Sequence, residues 1–329
     1  MEASQQNIRV QRWVACLSVV LLLVKLFAYY LTHSVAVLTD ALESIVNVVA
    51  GFFGLYSLQL SAKPKDADHP YGHGKIEFIS AAVEGVMISM AAVFILSESI
   101  NNLISPEPLH KLDQGIALIA MTGLVNFVLG SWCLRTGKKN NSLALKASGK
   151  HLLSDTYTTI GILVGLILLY LTGIYWLDSA VALVFGSIIL YTGFGIIRTS
   201  VAGIMDERDK ELLRKMIEVL DQDRSKNWVD IHNIRIIKYG STLHIDSHLT
   251  VPWYLNVHEA HGEIDKLATL VRREFGDAIE LFVHSDGCLP ISCPICIKDD
   301  CPVRHHAFQR RIKWTVQNME RNEKHQATT

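Results

Sequence analysis

The chain reads as an α-helical membrane protein, six transmembrane helices followed by a small cytoplasmic α/β domain of αββαβ order. Three observations predict this. Half of the 329 residues are hydrophobic and only 19% are charged. The apolar residues crowd into six runs within the first two thirds, each near the ~20 residues that cross a bilayer. After Asp206 the charges gather and the pattern changes to amphipathic helix and alternating strand. The expected division is a transport domain over 1–205, a soluble domain over 206–287 and a cysteine-rich tail over 288–329.

The runs are placed at Val10–Leu31, Val35–Leu60, Phe78–Leu103, Gln114–Leu134, His151–Leu171 and Trp176–Ile197. The start is polar and the first run is long enough to span, so no cleavable signal sequence is expected. Basic residues mark one side: Arg9 and Arg12 at the start, Lys63, Lys65 and Lys75 after the second run, and Arg135, Lys138, Lys139, Lys146 and Lys150 after the fourth. The opposite loops hold little beyond Lys111. The positive-inside rule then puts both termini and the soluble domain in the cytoplasm of a cell inner (plasma) membrane, with Tyr175 and Trp176 as outer interfacial anchors. A net charge of −1 argues against a nucleic-acid partner.

Ionisable groups at membrane depth are costly and therefore point to a site. His151 and Asp155 stand i, i+4 on one helix face with Ser148 and Thr158, and imidazole plus carboxylate is a ligand set for a divalent transition metal. The second run offers Asp40, Glu43 and Asn47 on one face of its own. Two such stripes facing each other make an ion pathway. Glu84 and Glu98 in the third run are expected to pair with a neighbouring helix. In the loop Lys65–Lys75, Asp66, His69 and His73 can converge on one metal, since Pro70, Gly72 and Gly74 let a short segment fold back.

Beyond Asp206, Asp209–Leu220 is an amphipathic helix, Ile231–Tyr239 and Thr242–Val251 are strands joined through Gly240 and Ser241, Val257–Phe275 is a helix and Glu280–Val283 a strand. His232, His244, Asp246, His248, His261, His284 and Asp286 make this domain histidine-rich near strand ends, which favours metal over ordinary surface histidines. Of six cysteines, Cys288, Cys293, Cys296 and Cys301 cluster in the tail. Four thiolates in so short a span can enclose zinc or an iron–sulfur cluster. Gln309–Glu320 is expected to be a basic terminal helix.

These residues together resemble the cation diffusion facilitator family of divalent-metal transporters, from the first helix to about Asp286, and Tyr71-Gly72-His73-Gly74-Lys75 is among its more specific local signatures. The resemblance implies a metallochaperone-like soluble domain, a homodimer, and proton-coupled efflux of zinc or ferrous iron, with manganese or cadmium admitted, by alternating access. The family's transport site falls on Glu43, Asn47, His151 and Asp155. The first two depart from its pattern: Glu43 is longer than the usual aspartate and Asn47 is neutral, with Asp40 one turn away to restore charge. Asp66, His69 and His73 resemble the family's loop site. His232, His248, His261, His284 and Asp286 fall at its paired cytoplasmic sites, and Lys75 with Asp206 at its hinge charge pair. The cysteine tail, with a structural zinc, lies beyond the family pattern. The rival reading is a membrane-anchored metal-binding redox protein, or a metal sensor, acting through that tail.

Overall fold

Each apolar run becomes a helix, and the helices outlast the runs because their flanks are good helix formers. The computed structural model describes residues 2–61, 63–105, 109–139, 143–239 and 242–327. Its first elements are α1 (Glu2–Thr32), α2 (Val35–Ser61), α3 (Ile76–Ile104), α4 (Leu112–Lys139), α5 (Leu143–Thr172) and α6 (Trp176–Ile204). Among the described residues these six are long and apolar enough to cross a membrane. The fifth helix starts two turns before His151, so His151 and Asp155 sit inside it and their backbone is fixed on both sides. The Gly240–Ser241 connection and the side chains of Arg9, Arg12, Lys146, Ser148 and Lys150 lie outside the described residues.

Two compact units divide the chain: Met1–Gln59 with Glu77–Val201, and Leu60–Ile76 with Ala202–Thr329. The loop between α2 and α3 thus groups with the second unit.

In the helical unit, small residues allow close packing, as in membrane bundles. A Cβ at Gly193 on α6 would lie 2.6 Å from Ser89 Oγ of α3, and one at Gly149 on α5 would lie 2.7 Å from the backbone nitrogen of Leu134 on α4. The start of α2 is fixed by Asp178 of α6, which is fully buried. Its carboxylate accepts from Ser34 Oγ at 2.5 Å, Val35 N at 2.7 Å and Ala36 N at 3.4 Å. The last two are amides that a helix start leaves unpaired, so Asp178 sets where α2, with Glu43 and Asn47, stands. Large apolar side chains such as Tyr191, Phe194 and Leu171 point outward, as lipid contact requires.

The second unit contains α7 (Lys210–Gln222), β1 (Asp230–Tyr239), β2 (Thr242–Val251), α8 (Val257–Phe275), β3 (Ile279–Gly287), a 3-10 turn η1 (Pro290–Ile295) and the short α9 (Val316–Met319). Asp209 caps α7 by accepting from Glu211 N and Leu212 N, and Asn256 with Glu259 forms a capping box on α8. The sheet order is β1-β2-β3, antiparallel then parallel, and α8 makes the crossover that a parallel pair requires. β3 runs further than expected and carries His284 and Asp286. Trp228, Ile231, Ile245, Leu249 and Leu267 fill the core.

The terminal helix expected over Gln309–Glu320 is corrected: only Val316–Met319 is helical there. Ile312 and Trp314 are buried at a spacing of two, which an extended chain delivers to one side and a helix does not. Trp314 and Met319 join the domain core.

Candidate metal sites

Two helices of the first unit bring the membrane residues together. Asn47 Nδ2 of α2 donates to Asp155 Oδ2 of α5 at 3.2 Å, and His151 Nε2 lies 3.7 Å from the same oxygen. Asp155 is mostly covered while His151 is half exposed. Two cavities share these residues. One, of about 150 Å³, is lined by Lys25, Ser44, Asn47, Asn126, His151 and Asp155 among others. The other, of about 420 Å³, is lined by Glu43, Asn47, Glu84, His151, Asp155 and Thr158, with side chains of α3 and α6. Glu84, expected to pair with a neighbouring helix, lines this cavity.

Asp40 has a different setting. Its Oδ1 accepts from Lys25 Nζ at 2.9 Å and from Thr159 Oγ1 at 3.3 Å, while Lys25 also donates to Ser44 Oγ at 2.9 Å. Lys25 and Asp40 are both buried. The sequence reading missed Lys25, although a lone lysine within an apolar run is itself a signal. It missed Asp178 for want of any local pattern.

In the second unit, two sets of three residues, among those described, hold ligand atoms within 4.8 Å of one another: Asp66, His69 and His73, and His232, His248 and Asp286. In the loop, His69 Nδ1 is 3.0 Å and His73 Nε2 is 3.4 Å from the Asp66 carboxylate. Gly72, at φ +89°, supplies the left-handed turn that brings them together. Hydrogen bonds from the His69 backbone and ring hold the Asp66 carboxyl below its usual range. The loop is fastened by Tyr71, which stacks on Tyr239 at 5.8 Å, and by Lys75 Nζ, 2.9 Å from Asp206 Oδ2. Lys75 comes just before α3 and Asp206 just after α6. Lys65 also pairs with Glu280.

The sheet pairs His232 with His248 and His248 with His284 in register. Asp286 Oδ2 is 3.3 Å from His248 Nδ1 and 3.7 Å from His232 Nε2, and its Oδ1 is 3.6 Å from His284 Nε2. Asn233, at φ +52°, forms the irregularity in β1 just after His232. Nitrogen and carboxylate donors so grouped fit zinc. His232 Nδ1 is 3.1 Å from Asp230, the orienting carboxylate that metal-bound histidines usually have. Burial alone would raise the Asp230 carboxyl, but His232 and His325 hold it well below its usual range. His325 and Lys324, neither singled out in the sequence, reach this group from the C-terminal segment: His325 Nδ1 is 2.6 Å from Asp230 and Lys324 Nζ is 3.8 Å from Asp286.

Three expected ligands stand elsewhere. His261, exposed on α8, pairs only with Asp265, at 3.8 Å, among the described residues. His244 is buried against Tyr71, Tyr239 and Glu280, and burial pushes its pKa down. Asp246, opposite Arg235, is exposed.

Residues 13–205 match the model of the cation efflux transmembrane domain, and 209–288 match that of the cation efflux protein cytoplasmic domain, a dimerisation module. An uncharacterized transporter of a Synechocystis species is 36% identical over 249 residues, 75% of this chain and 80% of the relative. Cation-efflux pumps named FieF, from Salmonella arizonae and Salmonella newport, are 29% identical over 275 and 271 residues, covering 83% and 82% of this chain and 90% and 88% of the relatives. The chain is an integral membrane protein with six spans and a transporter, not an enzyme. It belongs to the cation efflux, or cation diffusion facilitator, family.

Proposed function

We propose that the chain exports divalent transition-metal cations from the cytoplasm in exchange for protons, taking the ion between α2 and α5 with Glu43, Asn47, His151 and Asp155. The observation that carries this is the placing of Asn47, His151 and Asp155 on both cavities of the helical unit. A ligand group that lines two cavities of one bundle is open to an ion from more than one direction. Imidazole, carboxylate and amide oxygen are borderline donors, which favours zinc or ferrous iron and admits manganese and cadmium. Metal and protons compete there because a ligand must lose its proton to bind. Inward proton flow supplies about 2.3 kcal/mol per charge per 100 mV.

On this reading residues 1–205 transport, 206–287 sense metal and dimerise, and the termini face the cytoplasm of the plasma membrane. His232, His248, His284 and Asp286 bind a regulatory ion. His261, apart from them in one chain, meets metal only across a homodimer. Asp66, His69 and His73 bind another ion on the loop, and the Lys75–Asp206 pair acts as a hinge. The name of the Salmonella relatives, cation-efflux pump, supports the direction of transport.

Zinc flux into proteoliposomes across an imposed pH gradient tests the reading. Native protein should carry zinc against protons, and Asp155→Ala should reduce the flux to background. Equal flux in both, or none with zinc, iron or manganese, overturns it. Joint replacement of His232 and Asp286 by alanine should leave transport present and change its dependence on cytoplasmic-side metal. An unchanged dose curve removes the regulatory part.

A further inference from the structure

We infer that Cys288, Cys293, Cys296 and Cys301 form a four-thiolate zinc centre that fastens the C-terminal segment to the soluble domain. Three of the four lie beyond residue 288, where the matched cytoplasmic domain ends, so this centre is an addition to the transporter's own metal sites.

All four thiols are free and line one cavity of about 40 Å³ together with Trp253 and His305. That is room for one ion, given that a single water needs about 10–15 Å³. The backbone around the cavity is built. Cys288 N donates to Val251 O at 2.8 Å, which ties the first thiol to the end of β2. The Cys293-Pro-Ile-Cys296 turn closes through Cys296 N to Cys293 O at 3.3 Å. Arg304 then donates to the carbonyls of Cys293 at 2.9 Å, Cys296 at 3.2 Å and Lys298. One guanidinium thus holds the loop between the second and fourth cysteines in shape.

A divalent ion converts such thiols to bound thiolates. No three of the sulfurs lie within 4.8 Å of one another. Binding therefore requires the side chains to turn inward until the sulfurs stand roughly 3.8 Å apart, the separation a tetrahedron with Zn–S near 2.3 Å imposes. The segment that follows returns to the domain, with Trp314 in its core and His325 on Asp230. A zinc at residues 288–301 would pin its near end.

The test uses purified full-length protein, reduced, stripped with chelator and reloaded with zinc alone or cobalt alone. Zinc should protect Cys288, Cys293, Cys296 and Cys301 from alkylation, read residue by residue by mass spectrometry, and chelator should restore their reactivity. Cobalt should give sulfur-to-metal charge-transfer absorption that survives in Asp155→Ala and in the His232→Ala, Asp286→Ala protein but is lost in Cys293→Ser, Cys296→Ser. The alkylation arm needs no variant, so a misfolded cysteine variant cannot hide the answer. Equal alkylation with and without zinc, absence of the charge-transfer bands from native protein, or recovery of the four residues as disulfides or on iron and sulfide overturns the proposal. Since Asp155→Ala removes transport on the reading above and leaves the cobalt–sulfur bands, the two can fail separately.

Discussion

Two lysine–aspartate pairs in this chain have the same length and opposite surroundings. Lys25 and Asp40, in the helical unit, are 2.9 Å apart with both side chains 2% exposed; Lys75 and Asp206, in the second unit, are 2.9 Å apart with side chains 31% and 32% exposed. Geometry alone would rank them equal. The environment does not: a buried charge that loses its partner has no water to turn to, while a half-exposed one does. The first pair also stands next to the proposed transport site, where Lys25 lines the same cavity as Asn47, His151 and Asp155.

The largest effect should follow from breaking the buried pair. Lys25→Met leaves Asp40 uncompensated and should cost about 3–5 kcal/mol, read as a large loss of thermal stability in detergent. Lys25→Met with Asp40→Asn should recover most of it, since replacing both partners removes the stranded charge. The double variant sharpens the site as well. With Asp40 Oδ1 occupied by Lys25 and Thr159, we expect zinc flux to persist without it; a well-folded double variant that carries no zinc would make Asp40 a ligand.

The second unit holds its shape by apolar burial instead, even in the segment that looks charged. Trp314 is 2% exposed, with the Arg224 guanidinium carbon 4.2 Å from its ring centroid. Trp314→Ala should cost about 3 kcal/mol, measured by denaturant unfolding followed from the soluble domain. An effect near zero would mean that the C-terminal segment is not part of that core.

How much of this was legible follows from where each partner lies in the sequence. His151 and Asp155 share a helix face, so their spacing shows them at once, and the apolar runs and strand alternation gave the elements in order. Asp40 and Lys25 are 15 residues apart on different helices, and Asp178 is 144 residues from Ser34. No local period connects such pairs; only the packing of α1, α2 and α6 does. Ile312 and Trp314 do have a period, two, but Arg310, Arg311 and Lys313 between and before them made the stretch read as a solvated helix. His261 joined the expected ligands through the histidine-rich composition and the family resemblance, and its exposed place on α8, apart from the sheet histidines within one chain, depends on packing that neither shows.

A smaller effect concerns protonation in the same C-terminal segment. Burial lowers the pKa of His325, but the hydrogen bond and charge of Asp230, helped by the Asn318 carbonyl, raise it overall. A raised value means that the protonated ring is favoured by folding. Its stabilisation is complete below the unfolded histidine value of about 6.5 and is lost as pH rises through the folded value. In chelator-treated protein, unfolding free energies of the native chain and His325→Gln should therefore differ most at and below about pH 6.5 and converge as pH rises beyond it. A gap that stays constant as pH rises would show that the ring acts by packing alone.

The smallest effect belongs to the exposed lysine pair. Burial pulls the Lys75 pKa down, yet Asp206 raises it overall, and the ammonium also sits 4.7 Å from the centre of the Tyr239 ring. Even so, a pair this wet contributes about 0–1 kcal/mol, so Lys75→Met should leave the unfolding midpoint almost unchanged. Its consequence should be in transport. Lys75 and Asp206 close the chain just before α3 to the chain just after α6, and if that closure steers the helices, Lys75→Met should slow zinc flux in protein of native stability, with Lys75→Arg restoring part of it. Unaltered flux would reduce the pair to a surface contact. A large loss of stability would instead break the contrast between the two pairs, because burial would then no longer decide what an ion pair is worth in this chain.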